Sequence, residues 1–241
     1  MLFSTISFAQ NEVLFDAGNR AYNEGNYQEA ITSYERILDS GVHSGELYFN
    51  LANAYYKLNR IAPSIYYYEK AQQLLPNDDE VKSNLSFAQN MTIDAIEAVP
   101  EIGLSKILKG FINVLSFDTW AIISIVMVIV FVLLFLGYYF SQATARKRLA
   151  FVISSAAMMI AVVTLLFAFQ KYEYQKKDQP AIVFAQESEV KVDPNLRSEV
   201  SFVLHEGTKV QILEMYDENW TKIKLADGKT GWIPTSDIKA L

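Results

Sequence analysis

The chain has 241 residues, 51% of them hydrophobic, no cysteine and a net charge of −6. The acidic balance argues against a nucleic-acid binder, which would need a basic face, and the missing thiol excludes disulfides and thiol catalysis. The uncharged runs Trp120–Phe140 and Leu149–Phe169 hold 37 hydrophobic residues, and without them the chain is about 43% hydrophobic and about 24% charged, an ordinary soluble composition. A single globular domain is therefore excluded, and soluble parts joined by a membrane hairpin are predicted.

Met1–Gln10 reads MLFSTISFAQ, with Ser7 and Ala9 at the small-residue spacing that ends a secretory signal. It lacks a basic n-region, so the segment is expected to be the tail of a signal peptide, cut after Ala9.

From residue 11 the sequence repeats itself. Gly18–Asn19–Arg20–Ala21–Tyr22 matches Ala52–Asn53–Ala54–Tyr55–Tyr56, and Ala30–Ile37 matches Ser64–Ala71, each pair 34 residues apart. That period, with small and aromatic residues in two helices, resembles the tetratricopeptide repeat. Repeat one is predicted over 11–44 and repeat two over 45–78, with a capping helix over 79–96 completing a helical domain at 11–99. Gly25 turns the chain between the helices of repeat one. Asn59, which tolerates left-handed geometry, does so in repeat two. The resemblance implies a concave groove lined by the first helix of each repeat. Its positions would be Phe15, Asn19, Tyr22 and Asn23 in repeat one, and Phe49, Asn53, Tyr56 and Lys57 in repeat two. The asparagine amides could bond a peptide backbone and the aromatics add apolar contact; the same residues could also simply pack or solvate a helix face. The third helix offers Glu80 and Asn84 instead of Lys or Arg, so a peptide carboxylate is not the expected ligand. The acidic surround, net −7 over residues 1–100, points to a neutral or basic segment.

Within 102–117, Leu104, Ile107, Leu108, Phe111, Ile112 and Leu115 recur at helical spacing, with Lys106, Lys109 and Asn113 between them. Two placements fit: an amphipathic helix on a membrane surface, or one packed against the repeat domain. Transmembrane helices are predicted over 120–140 and 149–169, since about 20 apolar residues cross the hydrocarbon core. The link, 141–148, carries Arg146, Lys147 and Arg148 and no acid. Basic residues in short loops stay cytoplasmic, so these three put both long flanks outside. Neither run contains an ionisable residue, which argues against an ion pathway.

Beyond Pro180 the pattern turns to period two, with turn signals at Glu206–Gly207, Asp217–Asn219 and Asp227–Gly228. Five short strands over 181–241 are predicted to close a small barrel. Val190–Pro194, Leu204–Val210, Trp220–Ile223 and Gly231–Trp232–Ile233 resemble the bacterial SH3-like domain, which implies non-catalytic binding of proteins, peptides or wall components. Tyr216 and Trp220 are the candidate surface, and Trp232 reads as core. The two histidines, His43 and His205, lie in different modules, and no metal or phosphate-binding spacing occurs. No cofactor is expected.

The expected fold is thus multi-domain: all-α helical repeats, a two-helix transmembrane hairpin and an all-β SH3-like barrel. This order of modules resembles the BatE proteins of the bacterial aerotolerance gene cluster. The resemblance implies a non-enzymatic membrane-anchored adaptor at the inner membrane, with both soluble modules periplasmic. Its partners would be Bat proteins with von Willebrand A-type domains and a MoxR-type ATPase, besides membrane lipid. A sensor that grips peptidoglycan, or an accessory of a wall hydrolase, is the alternative. No nucleic-acid partner is expected.

Overall fold

The computed structural model describes residues 2–100 and 103–241, without the side chains of 2–9, 104 and 105; of the expected signal remnant, residues 1–10, it therefore describes the helical backbone from residue 2 and the side chain of Gln10. The chain forms two compact bodies, one combining the segment up to Val99 with Gln179–Leu241, the other comprising Pro100–Asp178.

The first body opens with five helices, α1 (Leu2–Asn23), α2 (Tyr27–Asp39), α3 (Gly45–Lys57), α4 (Ile61–Leu74) and α5 (Asp79–Gln89). The 34-residue period governs what they bury. Ile31 and Ile65, Tyr34 and Tyr68, Leu47 and Val81, Leu51 and Leu85, and Ala54 and Ala88 are repeat-related pairs, and all ten residues are buried. Each large apolar member contributes about 1.5–3 kcal/mol by leaving water. Gly25 and Asn59 both take left-handed backbone, with φ of +83° and +57°, at the two equivalent turns. At Gly18 a Cβ would sit 2.4 Å from the Tyr34 ring, so only glycine lets α1 and α2 approach this closely. Ser44 caps α3 by accepting the Leu47 N–H, and Asp78 caps α5 by accepting those of Glu80 and Val81. The capping helix is shorter than the expected 79–96. It stops at Gln89, whose carbonyl accepts the Thr92 hydroxyl, and the following residues run on as an extended segment bonded to the β-module.

That module has seven strands rather than five: β1 (Pro180–Val183), β2 (Glu187–Lys191), β3 (Val200–His205), β4 (Lys209–Met215), β5 (Trp220–Lys224), β6 (Thr230–Pro234) and β7 (Ile238–Ala240). All pairs are antiparallel, in the order β3-β2-β6-β5-β4-β1-β7. β3 and β7 escape sequence reading because β3 alternates poorly between exposed and buried positions and β7 is only three residues long. Gly228, at φ +92°, turns the β5–β6 hairpin. Ala181, Val183, Val190, Leu204, Val210, Ile223, Leu225 and Ile233 form the barrel core.

The two modules share one body. β1 alternates: Ala181 and Val183 face the barrel, whereas Ile182 is wholly buried among Ala52, Ala62, Ile65, Tyr66 and Tyr68 of the repeats. Asp94 anchors the joint, accepting the His205 N–H (2.7 Å) and the Thr208 hydroxyl (2.6 Å), while its other oxygen lies 2.8 Å from His205 Nδ1. Desolvation pushes the Asp94 carboxyl up, but these hydrogen bonds outweigh it and hold it below the ordinary carboxylate range. Buried Glu69 accepts from Lys209 at 2.7 Å, and Lys239 lies 4.5 Å above the Tyr66 ring.

The second body consists of α6 (Leu104–Asn113), α7 (Phe117–Phe140) and α8 (Thr144–Lys177). α7 and α8 are long and apolar enough to cross a membrane. They run antiparallel, as the contacts Ser124–Ala161, Trp120–Phe167 and Tyr138–Phe151 require. Ser124, Ser154, Ala157, Ala161, Thr164 and Ala168 are buried, while large residues such as Ile125, Leu133, Leu149, Leu165 and Phe169 stay exposed. The link is shorter than the expected 141–148: only residues 141–143 are non-helical, and Arg146, Lys147 and Arg148 lie in the opening turns of α8. Arg and Lys are good helix formers, so leaving the apolar run does not end the helix.

Candidate functional site

The groove of the repeat module is built on two copies of one hydrogen-bonded unit. In the first, Asn19 Oδ1 accepts from the Tyr34 hydroxyl (2.7 Å) and from Asn50 Nδ2 (3.0 Å). In the second, Asn53 Oδ1 accepts from the Tyr68 hydroxyl (2.5 Å) and from Asn84 Nδ2 (3.1 Å). Every member of one unit stands 34 residues from its counterpart. Burial raises both phenols, with Tyr22 as a second cause, Tyr34 to about 12, so both remain protonated donors at neutral pH. The asparagine oxygens are thus occupied from within. What each unit offers outward is a donor, Nδ2 of Asn19 or Asn53, and an acceptor, Oδ1 of Asn50 or Asn84. A backbone N–H and C=O are the complement of that pair.

The expected groove residues fall as follows. Asn19, Tyr22, Asn23, Phe49 and Asn53 line a cleft of about 450 Å³ together with Tyr34, Asn50, Glu80 and Asn84. Tyr56 and Lys57 line an adjoining cleft of about 160 Å³ with Tyr22, Asn53, Tyr68, Asn84 and Phe87. Phe15 is the exception. It packs on Tyr34 at 5.9 Å and joins the core of repeat one. Its counterpart Phe49 makes the same contact with Tyr68 and still reaches the cleft. Asn50 was not among the expected groove positions; its 34-residue relation to Asn84 is the signal that identifies it.

The β-module carries a cleft of its own, of about 390 Å³, lined by Leu196, Glu218, Asn219, Trp220, Pro234 and Ser236. Its loops are tied down: Asp217 accepts the N–H groups of Asn219 and Trp220, each at 2.8 Å, and the Thr235 N–H bonds the Asn219 carbonyl. Trp220, expected at the surface, is only 8% exposed. Its place at the start of β5 turns the indole inward, so it forms a wall of the cleft instead of a free platform. Leu196 is 81% exposed at the mouth. Tyr216 is exposed and lies edge-on to Trp232 at 5.8 Å, with Lys222 Nζ 5.3 Å above the same indole.

Both histidines have structural partners, His43 at the Tyr48 hydroxyl (2.8 Å) and His205 at Asp94. Among the described residues no group of three His, Cys, Asp or Glu side chains could hold a metal ion.

Two stretches of the chain match known families. Residues 15–79 match the tetratricopeptide repeat family, and residues 189–239 match the bacterial SH3 domain. No curated protein matches the chain. Both families are typically non-catalytic binding modules. Their pairing with two apolar helices supports interaction with protein or cell wall in association with a membrane.

Proposed function

We propose that the protein is a non-enzymatic scaffold of the bacterial inner membrane whose repeat groove holds an extended segment of an envelope protein. The twice-repeated donor–acceptor unit of Asn19–Asn50 and Asn53–Asn84 carries this reading, because it matches main-chain amides without demanding a particular side chain. Tyr22, Phe49 and Tyr56 add apolar contact, and Glu80 favours a basic residue in the segment. The assembly it serves is one of Bat type, with von Willebrand A-domain partners, in stress tolerance. This last step rests on the order of modules alone.

Both soluble modules belong to the periplasm in this reading. Arg146, Lys147 and Arg148 at the closed end of the hairpin support a cytoplasmic turn. The packing of both flanks into one compact body supports their lying on the same side of the bilayer.

The test uses Asn19→Asp with Asn53→Asp in the full chain. Aspartate still accepts from tyrosine and from the partner asparagine but removes the outward donors. A photocrosslinker replacing Tyr22 should trap envelope proteins in the parent, and the double variant should lose at least about 90% of that yield, the tenfold effect of roughly 1.4 kcal/mol expected from two lost hydrogen bonds. Undiminished crosslinking in a normally folded double variant would sink the groove assignment.

A second reading, wall binding through the β-module, is favoured by the cleft around Trp220. Detergent-solubilised protein should then sediment with purified sacculi and lose that property on Leu196→Glu. Failure to sediment would remove it.

A further inference from the structure

We propose that α6 lies in the headgroup layer of a phospholipid bilayer, with Ile107, Phe111 and Val114 among the acyl chains and Lys106 toward the phosphates. This rests on the reading of α7 and α8 as spans.

The helix has three differently occupied sides. Ile112 is 1% exposed and forms the flank held by protein. The attachment is polar as well: Trp120 Nε1 donates to the Ile112 carbonyl at 3.1 Å, and Lys171 Nζ donates to Asn113 Oδ1 at 2.7 Å. Ile107, Phe111 and Val114, one turn apart, are 58%, 62% and 70% exposed. Lys106 and Gly110 occupy the remaining side, both exposed.

A helix gripped along one flank, with an apolar face to one side of the grip and a polar face to the other, has the form required to lie in a membrane surface. Its depth is also marked. Two residues separate α6 from the helix cap Ser116 and the start of α7. Around that junction Phe117 packs on Tyr172 and Trp120 on Phe167. Aromatic rings of this kind gather at the boundary between headgroups and hydrocarbon. The exposed apolar face of α6 thus ends at Val114, two residues before the cap of α7, where acyl chains around the spans would meet it. An apolar peptide would cover the face equally well by area, but it would not explain why the face ends where the spans begin.

The absence of cysteine makes the test direct. Single substitutions Lys106→Cys, Phe111→Cys, Val114→Cys and, within the first span, Val128→Cys are labelled with an environment-sensitive fluorophore in the full chain. The protein is reconstituted into vesicles of phosphatidylcholine and phosphatidylglycerol. Acyl-brominated phospholipid should quench the labels at 111 and 114 by about twofold or more, as expected for a face that reaches about 5–10 Å into the boundary between headgroups and acyl chains. Aqueous iodide should quench the label at 106 and spare those two. The inference is overturned if 106 and 111 respond alike while 128 remains quenched by brominated lipid. It is also overturned if 111 is shielded from both quenchers, which would mean that protein covers the face. A label at 128 that escapes brominated lipid would instead overturn the spans themselves, and this inference with them.

Discussion

In the repeat helices the large apolar side chains point inward: Ile31, Tyr34, Leu51, Ile65 and Tyr68 are each at most 1% exposed. In α7 and α8 the arrangement is reversed. Serines, alanines and a threonine fill the middle of the contact between the helices, aromatic pairs close its two ends, and Ile, Leu, Val and Phe cover the outside. The same secondary structure is thus assembled in two opposite ways, the second of which suits a membrane. In water the helices meet through their large residues, because burying them supplies the driving force. Next to hydrocarbon that force is absent between helices, and small residues that allow backbones to approach do the work. The contrast extends to polar groups. In the first body buried Glu69 and half-buried Asp94 bond side chains far along the chain, and they join two modules that are separated in sequence by 79 residues. In the second body the buried hydrogen bonds return to helix carbonyls, as Ser124 does to Ala161 and Thr164 to Ile160.

If the first body is held by close packing across its module joint, the joint should be the place where one substitution does most damage. Gly207 has φ +86°, and a Cβ there would lie 2.9–3.0 Å from Ile61, Thr92 and Ile65. Gly207→Val combines backbone strain with overpacking, and about 3 kcal/mol of destabilisation is expected. Thermal unfolding followed by near-ultraviolet circular dichroism should show it, with faster proteolysis between residues 90 and 100. An unchanged midpoint would mean that the modules are not coupled at this point.

Asp94 sharpens the comparison through pH. Its carboxyl titrates below the unfolded value, so its contribution is fully present above that value, about pH 4. The contribution fades as pH falls through the folded value. Asp94→Ala should therefore cost about 2 kcal/mol at pH 7, by orphaning the Thr208 hydroxyl and the His205 N–H. The gap between variant and parent should narrow below about pH 4. Unfolding curves at pH 7 and pH 3.5 check this; a gap independent of pH would show that the ionised carboxylate is not what holds the joint.

The sequence made some of this legible and hid the rest for physical reasons. The 34-residue period exposed the repeats because each repeat must bury the same positions, and it placed Asn19 and Asn53 as equivalents. It did not reveal that their oxygens are consumed by Tyr34 and Tyr68, since a residue's type does not say which of its atoms is already bonded. Trp220 was misplaced because period-two patterning assigns faces only within a strand, and Trp220 opens one. The joint between modules was invisible: Ile182 reads as one more apolar residue of a barrel strand, and nothing local tells that its side chain completes the core of a different module. The end of α5 reads too long for the same reason: after the local bonds of residues 90–92, Asp94 and Val99 bond partners far along the chain.

The smallest effect tests the other half of the comparison. Ser124 is 6% exposed, and its hydroxyl donates to the Ala161 carbonyl at 2.9 Å, across the two helices. That carbonyl also accepts from the Thr164 hydroxyl at 3.1 Å, so it keeps a partner when Ser124 is removed. Ser124→Ala preserves the close approach of the backbones and deletes only the interhelical bond. Such bonds between membrane helices average about 0.6 kcal/mol, because the separated helices find other partners. Ser124→Ala should therefore shift the detergent-induced unfolding of the hairpin by no more than about 1 kcal/mol. Ser124→Leu, which keeps the helix apolar but forces the backbones apart, should cost more. If the alanine variant proves the worse of the two, hydrogen bonding and not the small-residue contact holds α7 to α8, and the two bodies differ less in their assembly than their surfaces imply.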